Sequence, residues 1–185
     1  MICAQEAHWQ LQLARVLVVP TGEAPHKAIE QDPGREARHE LCRLAFGGDE
    51  RFELSRLEID RPGPSYTVDT LRELRERRED DELFFIVGGD EARSLADWRE
   101  PEQLLSLATL AVAARDRDRR EQVGAAIAGL SGSERVRFFT MPPIGISSTI
   151  VRERVAAGRP IRYIVPEAVA EYIESAALYR QGVAA

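Results

Sequence analysis

Short apolar runs alternate along the chain with segments in which apolar residues recur every three or four positions. The apolar runs at 16–19, 83–87 and 110–113 predict buried strands, and alternating patterns at 52–59 and 136–140 predict two more. The helical spacing predicts helices at 2–13, 33–46, 65–78, 101–107, 120–128, 148–157 and 166–175. Strands that alternate with helices indicate parallel βαβ units and a doubly wound α/β sheet.

Local signals predict where several of these elements begin. Asp32 is expected to cap the second helix with Pro33 at its first position, and Ser65 or Thr67 is expected to cap the next. The charged run at 115–120 is expected to be a solvated loop. Because the sequence has no linker, repeat or low-complexity segment, we expect one domain over residues 1–185.

Composition narrows the class of protein. The 185 residues carry a formal net charge of -6, which argues against nucleic-acid binding or a membrane-surface role, since both usually need a basic excess. No apolar run is long enough to cross a bilayer. The two cysteines are too few for a disulfide scaffold, and with three histidines they show no metal-ligand spacing. These features predict a cytoplasmic protein without a protein-built metal site.

Lys27 is the only lysine of a chain whose other basic residues are arginines. It lies in the segment 19–27, a Pro- and Gly-containing loop that follows a predicted strand and also carries His26. A compact ammonium can hold a phosphate as a point charge, although this segment taken alone favours an ordinary surface loop.

Three further segments place polar groups where a strand gives way to a loop or helix. The segment 63–70 has four hydroxyl side chains around a predicted helix N-terminus, which suits an anionic or amide-bearing ligand. Gly88 and Gly89 precede Asp90, which could bond ribose hydroxyls, and Trp98 could stack on a flat ring. At 146–152, three hydroxyls open a helix that carries Arg152 one turn later, as expected of a polyphosphate cradle.

Taken together, these segments resemble the bacterial nicotinate-nucleotide adenylyltransferase family. The resemblance rests on PHK at 25–27, RPGPSYTVDTLRELR at 61–75, GxD at 88–90, the tryptophan at 98, ISSTIVRER at 146–154 and IRYIVPEAVAEYI at 161–173. It implies a Rossmann-like fold of the nucleotidyltransferase type. It also implies transfer of AMP from ATP to nicotinic acid mononucleotide with release of pyrophosphate, aided by Mg2+ held mainly on ATP phosphates.

The resemblance assigns roles to residues of this chain. We expect His26, Lys27 and Arg152 to act at the reacting phosphates. The ATP-binding residues are expected to be Gly88, Asp90, Ser147, Ser148, Thr149 and Arg152. The nicotinate-nucleotide residues are expected to be Ser65, Tyr66, Thr67, Asp69 and Trp98.

One feature of the family has no counterpart in this sequence. The family opens with a strand and a Gly-rich turn that bears His-x-Gly-His, whereas this chain starts within the helix expected after that turn. We therefore expect the first strand to be missing from this chain and its activity to be low. The alternatives are a catalytically inactive nucleotide-binding protein of the same fold, or a related enzyme that acts on nicotinamide mononucleotide or phosphopantetheine.

Overall fold

A computed structural model describes residues 1–25, 32–114 and 116–180. The described strands are β1 (Val16–Val18), β2 (Phe52–Leu54), β3 (Phe84–Gly88), β4 (Thr109–Ala113) and β5 (Val136–Phe139). The described α-helices are α1 (Ile2–Gln10), α2 (Arg35–Phe46), α3 (Leu57–Asp60), α4 (Thr67–Arg77), α5 (Gly89–Arg93), α6 (Pro101–Leu107), α7 (Arg117–Ile127), α8 (Ser148–Ala156) and α9 (Glu167–Ser175). A short 3-10 helix spans Leu95–Asp97. The predicted alternation of strands and helices is confirmed.

The chain divides into two compact units. Unit 1 contains residues 1–16 and 65–143, and unit 2 contains residues 17–64 and those from 144 onward. The strands form two sheets, one of β1 and β2 and one in the order β3-β4-β5. The expected single nucleotidyltransferase domain over the whole chain stays a prediction.

The sheet of unit 1 is parallel throughout. In its register Phe84 lies opposite Thr109, and Leu110 lies opposite Val136. The central strand β4 is buried at every position, as expected of a parallel strand whose connecting helices cover both faces of the sheet. The predicted parallel α/β arrangement is therefore confirmed.

Alternate residues of β4 belong to different layers of the core. Leu110 and Val112 pack with residues from α4 to α7, whereas Ala111 and Ala113 pack with Ala7 of α1 and with Phe139. Successive strand side chains point to opposite faces, so one five-residue strand supplies both layers. The small side chains lie on the face that packs against α1.

The core of unit 2 is formed by its helices. Val151 of α8, Ile161, and Val169 and Ile173 of α9 are buried together, and Leu41, Leu44 and Ala45 of α2 pack against them. Val151 thus fixes α8 to this core. None of the helices in the described part of the chain is both long and apolar enough to span a membrane.

The strand predicted at 52–59 is only partly present. β2 ends at Leu54, and α3 follows with Leu57, Glu58 and Ile59 all buried. Burial of three consecutive side chains is incompatible with a strand that has one solvated face. The Ser55 hydroxyl accepts a hydrogen bond from the Leu57 backbone N–H at 3.2 Å and turns the chain at this point.

Two predicted helix starts are also wrong. α2 begins at Arg35 rather than Pro33, because Gly34 at its N-cap adopts a φ of 86°; Asp32 instead accepts a hydrogen bond from the Gly34 backbone N–H at 2.9 Å. The charged run predicted as a loop enters α7 at Arg117. Asp116 caps that helix by accepting from the Arg119 backbone N–H at 2.8 Å.

Candidate functional site

The residues singled out from the sequence fall into two groups in the structure. Unit 1 holds the expected nicotinate-nucleotide residues and two of the expected ATP residues: Ser65, Tyr66, Thr67, Asp69, Trp98, Gly88 and Asp90. Unit 2 holds the expected phosphate cradle: Ser147, Ser148, Thr149 and Arg152. His26 and Lys27 lie outside the described residues.

Tyr66 forms the N-terminal boundary of α4. It has an extended backbone at the N-cap, and no side chain caps this helix, so the expectation that Ser65 or Thr67 would do so is wrong. Ser65 is buried just before the helix, and Thr67 is the first helical residue. None of the hydroxyl groups of this segment therefore caps α4, and the Ser65 side chain is buried.

An arginine covers the ring of Tyr66. The guanidinium carbon of Arg99 lies 4.6 Å from the ring centroid, in the range of a cation–π contact. The same guanidinium approaches a carboxylate oxygen of Asp69 at 3.6 Å and one of Glu100 at 3.6 Å. Arg99 thus lies between an aromatic face and two carboxylates.

A second arginine contacts the same two carboxylates. Arg72 donates a hydrogen bond to Asp69 at 2.9 Å and another to Glu100. The hydrogen bond to Glu100 is the largest of the causes that raise the pKa of the Arg72 guanidinium. Asp69, Arg72, Glu100 and Arg99 therefore form a closed ring of alternating charge, which we call the Asp69 ring.

The Asp69 ring gives Asp69 two partners within the protein, and its expected role in binding the nicotinate nucleotide stays a prediction. Its carboxylate is already paired with two guanidinium groups, so Asp69 holds Arg72 and Arg99 in position. Sequence reasoning missed Arg72, Arg99 and Glu100. The spacing of Asp69 and Arg72, three residues apart on a predicted helix, was a local signal for their ion pair. The approach of Arg99 to Tyr66 and Asp69 joins distant parts of the chain and had no such signal.

Trp98 is anchored on one side and partly accessible on the other. Its indole N–H donates to the Ser94 hydroxyl at 3.2 Å, and its ring meets Phe85 edge-on with the centroids 5.9 Å apart. Trp98 packs against the core of unit 1 and is itself partly buried. These two contacts fix the orientation of the indole, and its stacking on a ligand ring stays a prediction.

The two glycines at the end of β3 lie in different environments, and the expected ligand role of this turn stays a prediction. Gly88 is exposed, and a Cβ added to it would meet no atom within 4 Å. Gly89 is buried, and a Cβ there would come within 3.3 Å of the Ala113 carbonyl oxygen, so close packing on β4 explains this glycine. Asp90 is exposed and pairs with Arg93 at 2.9 Å and, more loosely, with Arg119 at 3.8 Å. Exposed pairs of this kind are weak enough for a ribose hydroxyl to compete.

The N-terminus of α8 presents three exposed hydroxyl side chains. Ser147 is the N-cap, and its hydroxyl accepts from the Ile150 backbone N–H at 3.2 Å. Arg152 lies one turn on and donates to the Thr149 hydroxyl at 3.2 Å. Ser148, Thr149 and Arg152 thus share one helix end, as the sequence predicted, while Ser147 has an additional structural role.

Arg38 and Arg152 both influence the pKa of the Tyr179 phenol in unit 2. Burial raises the pKa of Tyr179, and the positive charges of Arg152 and Arg38 oppose that rise. Arg38 also donates to the backbone carbonyls of Thr21 at 2.9 Å and of Gly22, and to the Asp32 carboxylate. Arg38 therefore ties residues 21 and 22, which follow β1, to the segment that precedes α2.

The described residues contain no group of three or more His, Cys, Asp or Glu side chains placed to hold a metal ion. The two cysteines are unpaired by disulfide, and burial raises the pKa of both thiols.

The sequence of this chain matches a known protein family and several named proteins. The profile of the cytidylyltransferase-like family matches residues 1–154. A probable nicotinate-nucleotide adenylyltransferase of Thermus thermophilus is 46% identical over 180 residues, which cover 97% of this chain and 91% of that protein. A protein of the same name from Tropheryma whipplei is 38% identical over 180 residues, with the same coverage of 97% and 91%.

Solved structures of similar fold come from Plasmodium falciparum. Its nicotinic acid mononucleotide adenylyltransferase complexed with APC has a TM-score of 0.71 at 16% identity, over 97% of this chain and 88% of that one. The same enzyme complexed with NaAD has a TM-score of 0.69 at 17% identity, over 90% and 83%. These likenesses confirm the nucleotidyltransferase type of fold, and the sequence relatives confirm the resemblance drawn from the motifs. The chain belongs to the nicotinate-nucleotide adenylyltransferase family.

Proposed function

We propose that this protein transfers AMP from ATP to nicotinic acid mononucleotide, forming nicotinic acid adenine dinucleotide and releasing pyrophosphate. The observation that carries the proposal is the presence of two kinds of group in a chain of this family. Unit 1 carries two aromatic rings of the matching motifs, Tyr66 in contact with Arg99 and Trp98 in contact with Phe85, and aromatic rings suit stacking on a flat ligand ring. Unit 2 presents hydroxyls and Arg152 at the start of α8, suited to phosphates.

The mechanism needs no covalent intermediate. The phosphate of the mononucleotide attacks the α-phosphorus of ATP in line, the bond to the bridging oxygen breaks, and pyrophosphate leaves with that electron pair. The protein's work is to position two anionic reactants and to neutralise the charge that develops between them.

Each group of residues supplies part of that work. Arg152, Ser148 and Thr149 bind ATP phosphates, and Ser147 supports them by capping α8. Asp90 and the exposed backbone at Gly88 bind a ribose. Trp98 and Tyr66 bind the pyridine ring, with Ser65 and Thr67 beside it. His26 and Lys27 act at the reacting phosphates, a role that rests on the sequence alone.

Magnesium fits this arrangement as an ion that arrives with ATP. The described residues offer no acidic cage, and Mg2+ commonly keeps water and phosphate oxygens as its ligands. When bound, it would reduce the negative charge on the phosphates. The protein's own contribution at that place is Arg152, whose guanidinium can hold phosphate oxygens by charge-assisted hydrogen bonds.

We also propose a cytoplasmic location, and the two free cysteines agree with it.

The reaction is tested by incubating the chain with ATP, Mg2+ and nicotinic acid mononucleotide, and by measuring the dinucleotide and pyrophosphate. Turnover is expected to be low, and whatever dinucleotide forms should be matched by an equal amount of pyrophosphate. Arg152→Ala should weaken ATP binding by about tenfold to a hundredfold, because a hydrogen bond to a charged group is worth about 1.5–3 kcal/mol. Mononucleotide binding should be unchanged. Exposed Arg117, which pairs only with Glu121 among the described residues, provides the matched control as Arg117→Ala.

Calorimetric titrations of each ligand, together with turnover measurements on each candidate substrate, separate the alternatives. Binding of both ligands without product would favour an inactive nucleotide-binding protein. Faster turnover with nicotinamide mononucleotide or phosphopantetheine would favour a related transferase. If neither ATP nor nicotinic acid mononucleotide binds, the proposal is wrong.

A further inference from the structure

The side chain of Arg38 contacts the chain on both sides of residues 23–31. From α2, its Nε donates to the Thr21 carbonyl at 2.9 Å, and one terminal nitrogen donates to the Gly22 carbonyl. The other terminal nitrogen donates to the Asp32 carboxylate. Only 18% of the Arg38 side chain is exposed, compared with 56% for Arg43 on the same helix. We call the contacts of Arg38 with Thr21, Gly22 and Asp32 the Arg38 clasp.

The Asp32 end of the Arg38 clasp is also tied to the start of α2. One Asp32 carboxylate oxygen accepts from Arg38 and from the Gly34 backbone N–H, the latter at 2.9 Å. Gly34 has a φ of 86°, which glycine adopts without the strain that a side chain would bring. Its carbonyl accepts from the Arg38 backbone N–H at 3.1 Å. Asp32 and Arg38 are therefore held against each other by backbone as well as side-chain contacts.

The Arg38 clasp lies close to residues assigned to the ATP phosphates. Tyr179 packs against the core of unit 2 that contains Val151, the residue before Arg152. Burial raises the pKa of the Tyr179 phenol, and the positive charges of Arg152 and Arg38 both lower it. Charges act in this way only on groups near them, because solvent and salt screen longer distances. Arg38 and Arg152 are thus neighbours of one phenol within unit 2.

Arg38 is suited to holding the chain rather than to binding a phosphate itself. All three of its guanidinium nitrogen atoms already donate to oxygen atoms of the protein, and Asp32 balances its charge. A phosphate that took these donors would leave the Thr21 and Gly22 carbonyls without them, which costs free energy.

We propose that Arg38 is the positioning residue that directs His26 and Lys27 toward the ATP phosphates. This inference rests on the proposed function and deepens it. His26 and Lys27 lie outside the described residues, and Arg38 fixes the chain on both sides of them. Lys27 is midway in the sequence between Gly22 and Asp32. Ends that are held together leave fewer conformations to the residues between them, so less entropy is lost when Lys27 binds a phosphate.

The lone lysine makes a specific test possible. A lysine-specific protease can cut this chain only after Lys27, whereas an arginine-specific protease cannot cut residues 19–34, which contain no arginine. Arg38→Gln should raise the rate of cleavage after Lys27 about tenfold to a hundredfold, because charged hydrogen bonds to the segment ends are lost. Arginine-specific cleavage and thermal unfolding should change little.

Two further variants complete this comparison. Arg43→Gln is the matched control, because Arg43 is an exposed arginine of the same helix that pairs with Glu40, and its cleavage rates should not change. Asp32→Asn keeps the contacts of Arg38 with residues 21 and 22 and should give a smaller increase than Arg38→Gln. It keeps the test decisive if Arg38→Gln does not fold.

A second measurement links the Arg38 clasp to the phosphates. Acetic anhydride acetylates the Lys27 amine, and the Met1 amine of the same chain is the internal reference. ATP with Mg2+ should slow acetylation of Lys27 relative to Met1 in the unchanged protein and in Arg43→Gln. In Arg38→Gln this protection should be lost, at an ATP concentration that calorimetric titration shows to be saturating. A purely structural role of Arg38 would leave the protection intact.

The outcomes separate this inference from the proposed function. If the unchanged protein binds neither ATP nor nicotinic acid mononucleotide, the proposed function fails. If both bind and ATP protects Lys27 equally in Arg38→Gln, or does not protect it in the unchanged protein, the function stands and the role of Arg38 is overturned. Unchanged cleavage after Lys27 in a folded Arg38→Gln variant would overturn that role as well.

Discussion

Ser147 and Ser148 are neighbours with the same side chain and different roles. The hydroxyl of Ser147 accepts a backbone N–H at the start of α8, which satisfies one of the donors that every helix leaves unpaired at its N-terminus. Ser148 is the first helical residue and is exposed. The structure therefore separates a stabilising hydroxyl from one that is available to a ligand.

Ser147→Ala should lower the free energy of unfolding by about 0.5–2 kcal/mol, because it removes an N-cap hydrogen bond. Ser148→Ala should leave stability unchanged and is the matched control. Urea denaturation of both variants, followed by circular dichroism, provides the comparison. Equal stability of the two variants would show that the cap contributes nothing in solution.

At the scale of elements, β4 determines how the layers of unit 1 fit together. Ala111 is fully buried on the face that packs with Ala7 of α1 and with Phe139. Interiors are close-packed, so a larger side chain at this position would displace its neighbours. The opposite face of β4 accommodates Leu110 and Val112 in a larger cluster.

Ala111→Leu should therefore destabilise the protein by about 1–3 kcal/mol through overpacking. Ala125→Leu, on the exposed side of α7, adds the same atoms where there is room and should change stability little. Thermal unfolding of both variants measures the difference. An Ala111→Leu variant as stable as the unchanged protein would mean that the α1 face is loosely packed.

At the scale of the whole molecule, the proposed ligands are divided between the two compact units. The residues assigned to nicotinic acid mononucleotide all lie in unit 1, and the α8 residues assigned to ATP phosphates lie in unit 2. The overall charge of -6 means that these two anions must be attracted by local arginines rather than by the field of the whole protein.

Amide hydrogen exchange should reflect this division. Nicotinic acid mononucleotide alone should slow exchange around residues 65–69 and 98–99, and ATP alone should slow it around residues 147–152. The reason is that bound ligands stabilise the backbone near their contacts against local opening. Protection of 147–152 by the mononucleotide alone would show that the phosphate assignments are reversed.

Local patterns in the sequence predicted much of the fold. The α6 helix has the predicted bounds, since Pro101 and its apolar spacing are purely local signals. The errors occurred where one residue overrode the pattern. Because Gly34 has a positive φ, α2 begins at Arg35 and not at Pro33 as predicted. The strand predicted at 52–59 ends early because Leu57, Glu58 and Ile59 are all buried in α3.

By itself, the sequence determined the alternation of strands and helices, the family, and the set of hydroxyl and aromatic residues grouped into short motifs. It could do so because hydrophobic period, capping and motif spacing act between residues close in the chain. Only the tertiary structure decided that Arg99 covers Tyr66 and reaches Asp69, and that Glu100 pairs with Arg72. Those contacts join α4 to the start of α6, and charge pairing between exposed side chains leaves no periodic signal in the sequence.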